Sequence, residues 1–290
     1  MSGTNPKLSI IIPAKDEAES LSILLPRLRA LHPDAELIVV DDGSSDGTAG
    51  AAHQAGALVV SNPYSLGNGA AVKAGVRAAR GEAIVCMDAD GQHVPEDIGR
   101  LLELKAQGYD MVVGARTGAS QASLGRHAAN SLYNFLASWM VGHRIQDLTS
   151  GLRAADTGRF REFLHLLPNG FSYPTTITMA FFRAGYRVGY VPIQANRRQG
   201  RSSHIKPLRD GVRFLLIIFK IATLYSPLKV FLPISAGFFL LGLGRYAYTY
   251  LTAHVFTNMS ALLFITSVLV FLIGLVSEQI TTLLFMRQER

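Results

Sequence analysis

The chain has 290 residues, enough for one large domain or one domain with an appendage, and a net charge of +7 from 28 Lys and Arg against 21 Asp and Glu. That balance suits nucleic acid, an anionic membrane or a phosphorylated substrate without choosing among them. A single cysteine, Cys86, excludes an internal disulfide framework and fits a reducing compartment; mid-strand in an apolar run, it reads as buried filler. The opening MSGTNPK has neither a basic n-region nor a long apolar h-region, so no signal peptide is expected.

Residues 8–12 form a short apolar strand that Pro13 should end. The next stretch opens a helix, with Leu21, Leu24, Leu25 and Leu28 at helical spacing. Residues 36–40 are a second strand running into DDGSSDGT, where Ser44, Ser45 and Asp46 are suited to cap a helix over 48–54. A third strand at 57–61 leads through GNG into another helix, and residues 82–87 are the fourth strand. Pro95 opens a helix to 107, and residues 109–114 are the fifth strand. Five strands alternating with helices predict a doubly wound, mostly parallel α/β sheet.

Ligands of such sheets bind beyond the carboxyl ends of the strands. Acids stand there three times: Asp16 and Glu17 after strand one, Asp41 and Asp42 after strand two, Asp88 and Asp90 after strand four. Three acidic clusters on one rim repel each other unless cations or ligand donors lie between them, which favours a metal–nucleotide cleft over a set of solvated helix caps. Asp88 and Asp90 are two residues apart and can face one side, and Gln92 adds an amide oxygen. Mg²⁺ or Mn²⁺ prefers such oxygens and keeps positions open for substrate phosphates. The first turn, PAKDE, is not G-x-G-x-x-G, and no G-x-x-x-x-G-K-[ST] occurs, so neither common phosphate loop applies.

IIPAKDEAESL, VVDDGSSDGT, GNGAAVKAG and MDADGQHVPEDI, in this order and spacing, resemble family 2 glycosyltransferases of the GT-A fold. The nearest likeness is to the polyprenyl-phosphate sugar synthase branch, the dolichyl-phosphate mannose synthase-like enzymes and their bacterial relatives. It covers residues 8–205 by motif. The resemblance implies that Pro13, Glu17, Asp41, Asp42, Asp88 and Ala89 bind the nucleotide sugar and that Asp88, Asp90 and Gln92 hold the metal, with Asp90 counted among the catalytic residues. The family usually reads Tyr-Asn-Glu in the first turn, where this chain has Lys15, Asp16 and Glu17.

Arg116 and Arg126 by themselves read as surface arginines; the resemblance makes them candidates for an acceptor phosphate, for which the planar fork of arginine is suited. Residues 128–141 form an apolar helix holding the only tryptophan, Trp139, expected in the core or facing a membrane. QDLTSGLR resembles the family segment whose aspartate lies at the acceptor, which implies a catalytic role for Asp147. A phosphate monoester is already anionic near pH 7, its second pKa being about 6, so Asp147 is expected to orient groups or stabilise positive charge rather than to act as a strong base. After a strand at 187–193, the basic loop with Arg198 and Ser203 resembles the family's lid over the diphosphate or acceptor phosphate.

Residues 207–226 read as a helix with Arg209, Arg213 and Lys220 within roughly 40° of one another, a basic stripe suited to a membrane interface. Two spans follow, at about 229–250 and 259–286. Their connector has no Lys or Arg, so both ends are expected on the cytoplasmic side. Arg245 should snorkel outward, and Glu278 points to a partner within a homo-oligomer.

The expected architecture is a GT-A domain over 1–205, an interfacial helix over 206–227 and a transmembrane hairpin over 228–290. The expected function is inverting transfer of a sugar from a GDP-mannose- or UDP-glucose-type donor to polyprenyl phosphate at the cytoplasmic face of a cell or inner membrane, with no nucleic-acid partner. The alternatives are a membrane glycosyltransferase for diacylglycerol or polysaccharide, or a non-catalytic sugar-nucleotide-binding scaffold. No Q-x-x-R-W motif of processive synthases is present.

Overall fold

The structure is a computed structural model that describes residues 6–116, 124–170, 173–194, 219, 223 and 225–286, by backbone alone at 124–130 and 284–286. It divides into two compact units, Met1–Trp139 with His143–Ile205, and Met140–Gly142 with Lys206–Arg290.

The first unit is built on a seven-stranded sheet. Its elements in chain order are β1 (Leu8–Ala14), α1 (Ala18–Leu31), β2 (Glu36–Asp41), α2 (Thr48–Gln54), β3 (Leu58–Ser61), α3 (Asn68–Ala78), β4 (Ala83–Cys86) and α4 (Asp97–Ala106). They continue with β5 (Met111–Arg116), α5 (Leu124–Val141), β6 (Arg153–Asp156), α6 (Thr157–Glu162), α7 (Tyr173–Arg183) and β7 (Val188–Ile193). The strand order is β3-β2-β1-β4-β6-β5-β7. All pairs are parallel except those of β6, which runs antiparallel between β4 and β5.

The central strands are continuous apolar runs because helices cover both faces of the sheet. Ile10, Ile11 and Ile12 of β1 and Ile38, Val39 and Val40 of β2 are all fully buried. The predicted stripe on α1, Leu21, Leu24, Leu25 and Leu28, packs into the same core. Each such side chain contributes roughly 1.5–3 kcal/mol by leaving water.

Two boundaries differ from expectation. Pro13 does not end β1, which runs to Ala14 with Pro13 opposite Val40. The side of β1 on which Pro13 lacks an N–H faces β4, whose pairing with β1 stops at Ile11 and Cys86, so no ladder bond is lost there. The second difference is β6, unforeseen from sequence. Cys86 lies opposite Arg153 of that strand and is wholly buried, and burial pushes its thiol pKa up to about 12.

The second unit contains α8 (Pro227–Ala253) and α9 (Asn258–Met286), both long and apolar enough to cross a membrane. They pack as a hairpin. Ser235 Oγ donates to Ser267 O at 2.8 Å, and Ser267 Oγ donates back to Ser235 O at 2.9 Å. Glu278, expected to await an oligomer partner, accepts from Leu228 N at 3.2 Å, a carboxylate at the amino end of α8. Ser226 Oγ and Lys229 Nζ both donate to Met140 O, at 3.2 and 2.8 Å. Arg245 lies 5.9 Å from the Tyr248 ring centroid near the other end of α8. The predicted basic stripe at Arg209, Arg213 and Lys220 lies outside the described residues.

Helix α3 comes unusually close to the sheet at Gly75, where a Cβ would overlap Ile11 Cγ2 and stand 3.1 Å from Val40 Cγ2. Replacing Gly75 with valine should therefore destabilise the first unit by roughly 1–3 kcal/mol through overpacking. Thermal unfolding of the detergent-solubilised chain checks this, with a midpoint several degrees below wild type as the expected result.

Candidate active site

Strands β1, β2 and β4 are neighbours and end on the same rim, so the acids that follow them converge. A cavity of about 350 Å³ opens there, lined by Pro13, Glu17, Asp42, Asp88, Ala89 and Asp90 among others. Six expected donor-site residues thus share one space. Asp41 and Gln92 do not line it, and neither do Arg116 and Asp147. Lys15, Ser65, Gly67 and Asn68 do, and only the GNG motif had hinted at the last two. A larger depression of about 1070 Å³ lies at the amino ends of the strands, lined by Lys7, Glu36 and Arg80. It is on the wrong end of the sheet for ligand chemistry, and its charges include the Arg80–Glu36 pair at 2.7 Å.

Asp42 is the clasp of the β3–α3 loop. Its Oδ1 accepts from Asn62 Nδ2 and Leu66 N, both at 2.8 Å, and its Oδ2 from Ser65 Oγ at 2.8 Å and Gly67 N at 2.9 Å. Four donors occupy the roughly four lone-pair sites of a carboxylate. Burial works to raise its pKa, but the hydrogen bonds from Leu66 N, Asn62, Ser65 and Gly67 N hold it below the usual carboxylate value. Asp41 Oδ1 instead accepts from Ser44 N at 2.9 Å and tightens the turn after β2.

Asp16, where the family usually has asparagine, has a φ of 53°, a left-handed conformation that Asp and Asn tolerate best after glycine. Its Oδ1 accepts from Ser45 N at 2.8 Å and Ser45 Oγ at 3.0 Å, joining the first turn to the second. Asp46 fastens the same junction, accepting from Ala18 N at 3.2 Å and Thr48 N at 2.9 Å at the starts of α1 and α2.

The third acidic cluster has deeper support. Asp88 Oδ2 lies 3.6 Å from Nε2 of His93, a buried side chain whose Nδ1 has no hydrogen-bond partner among the described residues. Burial raises the Asp88 pKa, yet the hydrogen bond and charge of His93, the charge of Arg153 and a hydrogen bond from Asn68 leave it lowered overall. Asp90 Oδ1 accepts from Gln92 N at 3.2 Å, shaping the turn after the D-x-D. Among the described residues no group of three or more His, Cys, Asp or Glu is placed to hold a metal ion. His93 was legible in DADGQH but not singled out from sequence.

Arg116 and Asp147 form a pair of their own. Arg116 Nε donates to Asp147 Oδ2 at 2.8 Å and Nη2 to Oδ1 at 3.0 Å, the bidentate arrangement of a guanidinium and a carboxylate. Arg116 Nη2 also donates to Thr149 Oγ1 at 2.5 Å. Asp147 further accepts from the backbone N–H groups of Arg116, Thr149 and Ser150 at 3.2, 3.0 and 3.1 Å. Burial pushes the Asp147 pKa up, but Arg116 and these amides outweigh it and lower it. The Arg126 side chain, Arg198 and Ser203 lie outside the described residues.

These shifts carry a pH dependence. A carboxylate whose folded pKa is below its unfolded value contributes stability that is fully present above the unfolded value, about 3.9, and lost as pH falls through the folded one. For Asp42 that loss begins near pH 5 and continues below its ordinary 3.8. The thermal midpoint of Asp42→Asn should lie below wild type at pH 7 and fall less steeply from pH ~5 to ~3. Thermal scans across that range check it.

Residues 9–164 match the family described as Glycosyl transferase family 2, and residues 226–283 match the GtrB C-terminal hairpin. The undecaprenyl-phosphate 4-deoxy-4-formamido-L-arabinose transferase of Photorhabdus laumondii is 35% identical over 202 residues, 66% of this chain and 56% of that relative. The Serratia proteamaculans enzyme of the same name is 33% identical over 218 residues, 72% and 61% of the two chains. The match therefore spans less than two thirds of either relative. The undecaprenyl-phosphate mannosyltransferase of Micrococcus luteus is 34% identical over 203 residues, 65% of this chain and 83% of that one. Among solved structures, glucosyl-3-phosphoglycerate synthase from Mycobacterium tuberculosis, in complex with Mn²⁺, UDP-glucose and phosphoglyceric acid, superposes with a TM-score of 0.60 at 21% identity, over 75% of this chain and 79% of that one. That likeness establishes the fold, the GT-A arrangement of a mostly parallel sheet. With the family match covering more than half of its length, the chain belongs to glycosyl transferase family 2.

Proposed function

We propose that the chain transfers a sugar from a nucleotide diphosphate sugar to a polyprenyl phosphate at the cytoplasmic face of a membrane, with inversion. The observation that carries this reading is the single cavity shared by Glu17, Asp42, Asp88 and Asp90 on a chain that also bears a hairpin of two membrane-length apolar helices. The relatives named for undecaprenyl phosphate as acceptor support the lipid. The neighbour crystallised with Mn²⁺ and UDP-glucose supports the donor class. In this reading residues 1–205 are the catalytic domain, 206–227 an interfacial helix and 228–290 a multi-pass anchor. The connector between the spans carries no Lys or Arg, which supports a cytoplasmic catalytic domain.

The residues present fit a divalent ion. Asp88 and Asp90 bring carboxylates to the cavity, the Gln92 amide follows in the same turn, and among the described residues no group of three or more His, Cys, Asp or Glu closes a cage around an ion. A protein that supplies two carboxylates and leaves the remaining positions to phosphates and water is a usual Mg²⁺ host, and Mn²⁺ takes the same donors. Bound there, the ion would neutralise charge building on the leaving diphosphate.

The reaction is a single displacement. A phosphate oxygen of the acceptor bonds to the anomeric carbon as the bond from that carbon to the diphosphate oxygen breaks. The acceptor is already an anion near pH 7, so no strong base is required. Asp147 suits that requirement: a carboxylate engaged by Arg116 and three amides is a poor proton acceptor. Its task is to aim Arg116, whose guanidinium then faces the acceptor phosphate.

Transfer from nucleotide sugars to polyprenyl phosphate in vesicles, with Mg²⁺ or Mn²⁺ added, tests the reading. Asp88→Asn and Asp90→Asn should each cost at least about a hundredfold in turnover, in line with the several kcal/mol a metal supplies. No transfer by the wild-type chain to any polyprenyl phosphate would reject it. Asp147→Asn should slow transfer equally across pH 6–9 and raise the KM for the acceptor. Recovery of most activity at high pH would instead identify Asp147 as the base.

A further inference from the structure

Residues 147–153 run from Asp147 into β6, and the pairing of β6 with β4 sets Arg153 opposite Cys86, two residues before Asp88. This brings the backbone of Gly151 against the Asp88 carboxylate. A Cβ at Gly151 would overlap Asp88 Oδ2 and lie 2.7 Å from its Cγ and 3.0 Å from its Oδ1. At most glycines near a site an added methyl group meets a wall or open space; here it meets one functional carboxylate.

The approach is held from both sides. Upstream, the Thr149 and Ser150 amides are fastened to Asp147 Oδ1. Downstream, the fully buried Arg153 donates from Nη2 to Ser150 O, and from Nη1 to Pro174 O at 2.9 Å and Thr178 Oγ1 at 3.2 Å. The Tyr173 ring packs on that guanidinium, 5.6 Å from Cζ to centroid, and its hydroxyl donates to Gly151 O at 3.5 Å. The Ser150–Gly151 peptide therefore has little freedom to retreat. The Asp88 side chain is 32% exposed and ends in a rotatable carboxylate, so it is the partner that can give way.

We propose that Gly151 is a positioning residue for the donor-site cation: its bare backbone leaves Asp88 the space in which its carboxylate faces the cavity, and any side chain at 151 turns that carboxylate aside. The proposal rests on the metal role given to Asp88 above and deepens it. It also makes residues 147–153 a shared support, with Asp147 aiming Arg116 at one end and Gly151 setting Asp88 at the other.

The test uses the full chain in detergent and Mn²⁺ alone, with binding followed by loss of the free-ion EPR signal. Wild type should bind, Asp88→Asn should lose binding, and Gly151→Ala should weaken it by at least about tenfold, as displacement of a ligand's support does. A thermal cycle of wild type, Gly151→Ala, Asp88→Ala and the double variant covers the case in which Gly151→Ala is itself destabilised. Any fall in midpoint caused by Gly151→Ala should shrink when Asp88 is alanine, because the colliding carboxylate is gone. Wild-type Mn²⁺ affinity in Gly151→Ala, or a thermal cost that is the same with and without the Asp88 carboxylate, would overturn the proposal. Equal Mn²⁺ binding by wild type and Asp88→Asn would overturn the metal reading itself, whatever the thermal cycle returns.

Discussion

A parallel sheet covered on both faces has room for charge only at its ends. In the first unit the middles of β1 and β2, Ile10 to Ile12 and Ile38 to Val40, have no exposed surface, so the acids of these strands and their following turns stand at the ends: Glu36 at the amino end, the others at the carboxyl rim. Adjacency of β1, β2 and β4 then gathers Glu17, Asp42, Asp88 and Asp90 into one cavity. Mutual repulsion among them is moderated before any ligand arrives. Asp42 spends its charge on four loop donors, and Asp16 and Asp46 spend theirs on the first two turns. Asp88 and Asp90 line the same cavity, Asp88 with His93 beside it.

Two kinds of electrostatic work are thus divided among residues that look alike in the sequence. Asp147 and Asp42 are each saturated by donors and each lowered in pKa by them. Asp88 stands between the classes: its pKa is lowered by His93 and Arg153, yet its side chain remains partly open. Arg153 is the costlier arrangement, a cation with no exposure whose Nη atoms donate to carbonyls and a hydroxyl while its Nε has no partner among the described residues. Burying it is tolerable because it fastens the loop that carries Gly151 and adds a favourable charge behind Asp88.

Much of this was readable in advance. The apolar runs, the leucine spacing of α1, the rim acids and the two spans are local patterns, and local patterns survive into the fold. The features that were not readable depend on partners distant in the chain. The four residues of β6, RAAD, contain no β-branched or aromatic residue, and only insertion between β4 and β5 makes them a strand. Arg116 and Asp147 are 31 residues apart, so each could be nominated for chemistry but not for the other. Pro13 reads as a stop signal unless the shorter length of β4 pairing is known. Glu278 reads as a misplaced charge in an apolar helix until the packing of α8 on α9 brings it to Leu228 N.

The setting of Cys86 has a practical corollary. It is the only cysteine in the chain, sealed mid-strand in β4, and its thiol is raised so far that almost no thiolate exists at neutral pH. Thiol reagents need the thiolate and a path to it, and here both are missing. The native protein therefore behaves toward maleimides as if it had no cysteine at all. A cysteine introduced into the connector between α8 and α9, or beside Lys229, would be the sole reactive thiol on a chain that needs no prior substitution. Membrane-impermeant labels could then read the sidedness of the hairpin in sealed vesicles of either orientation.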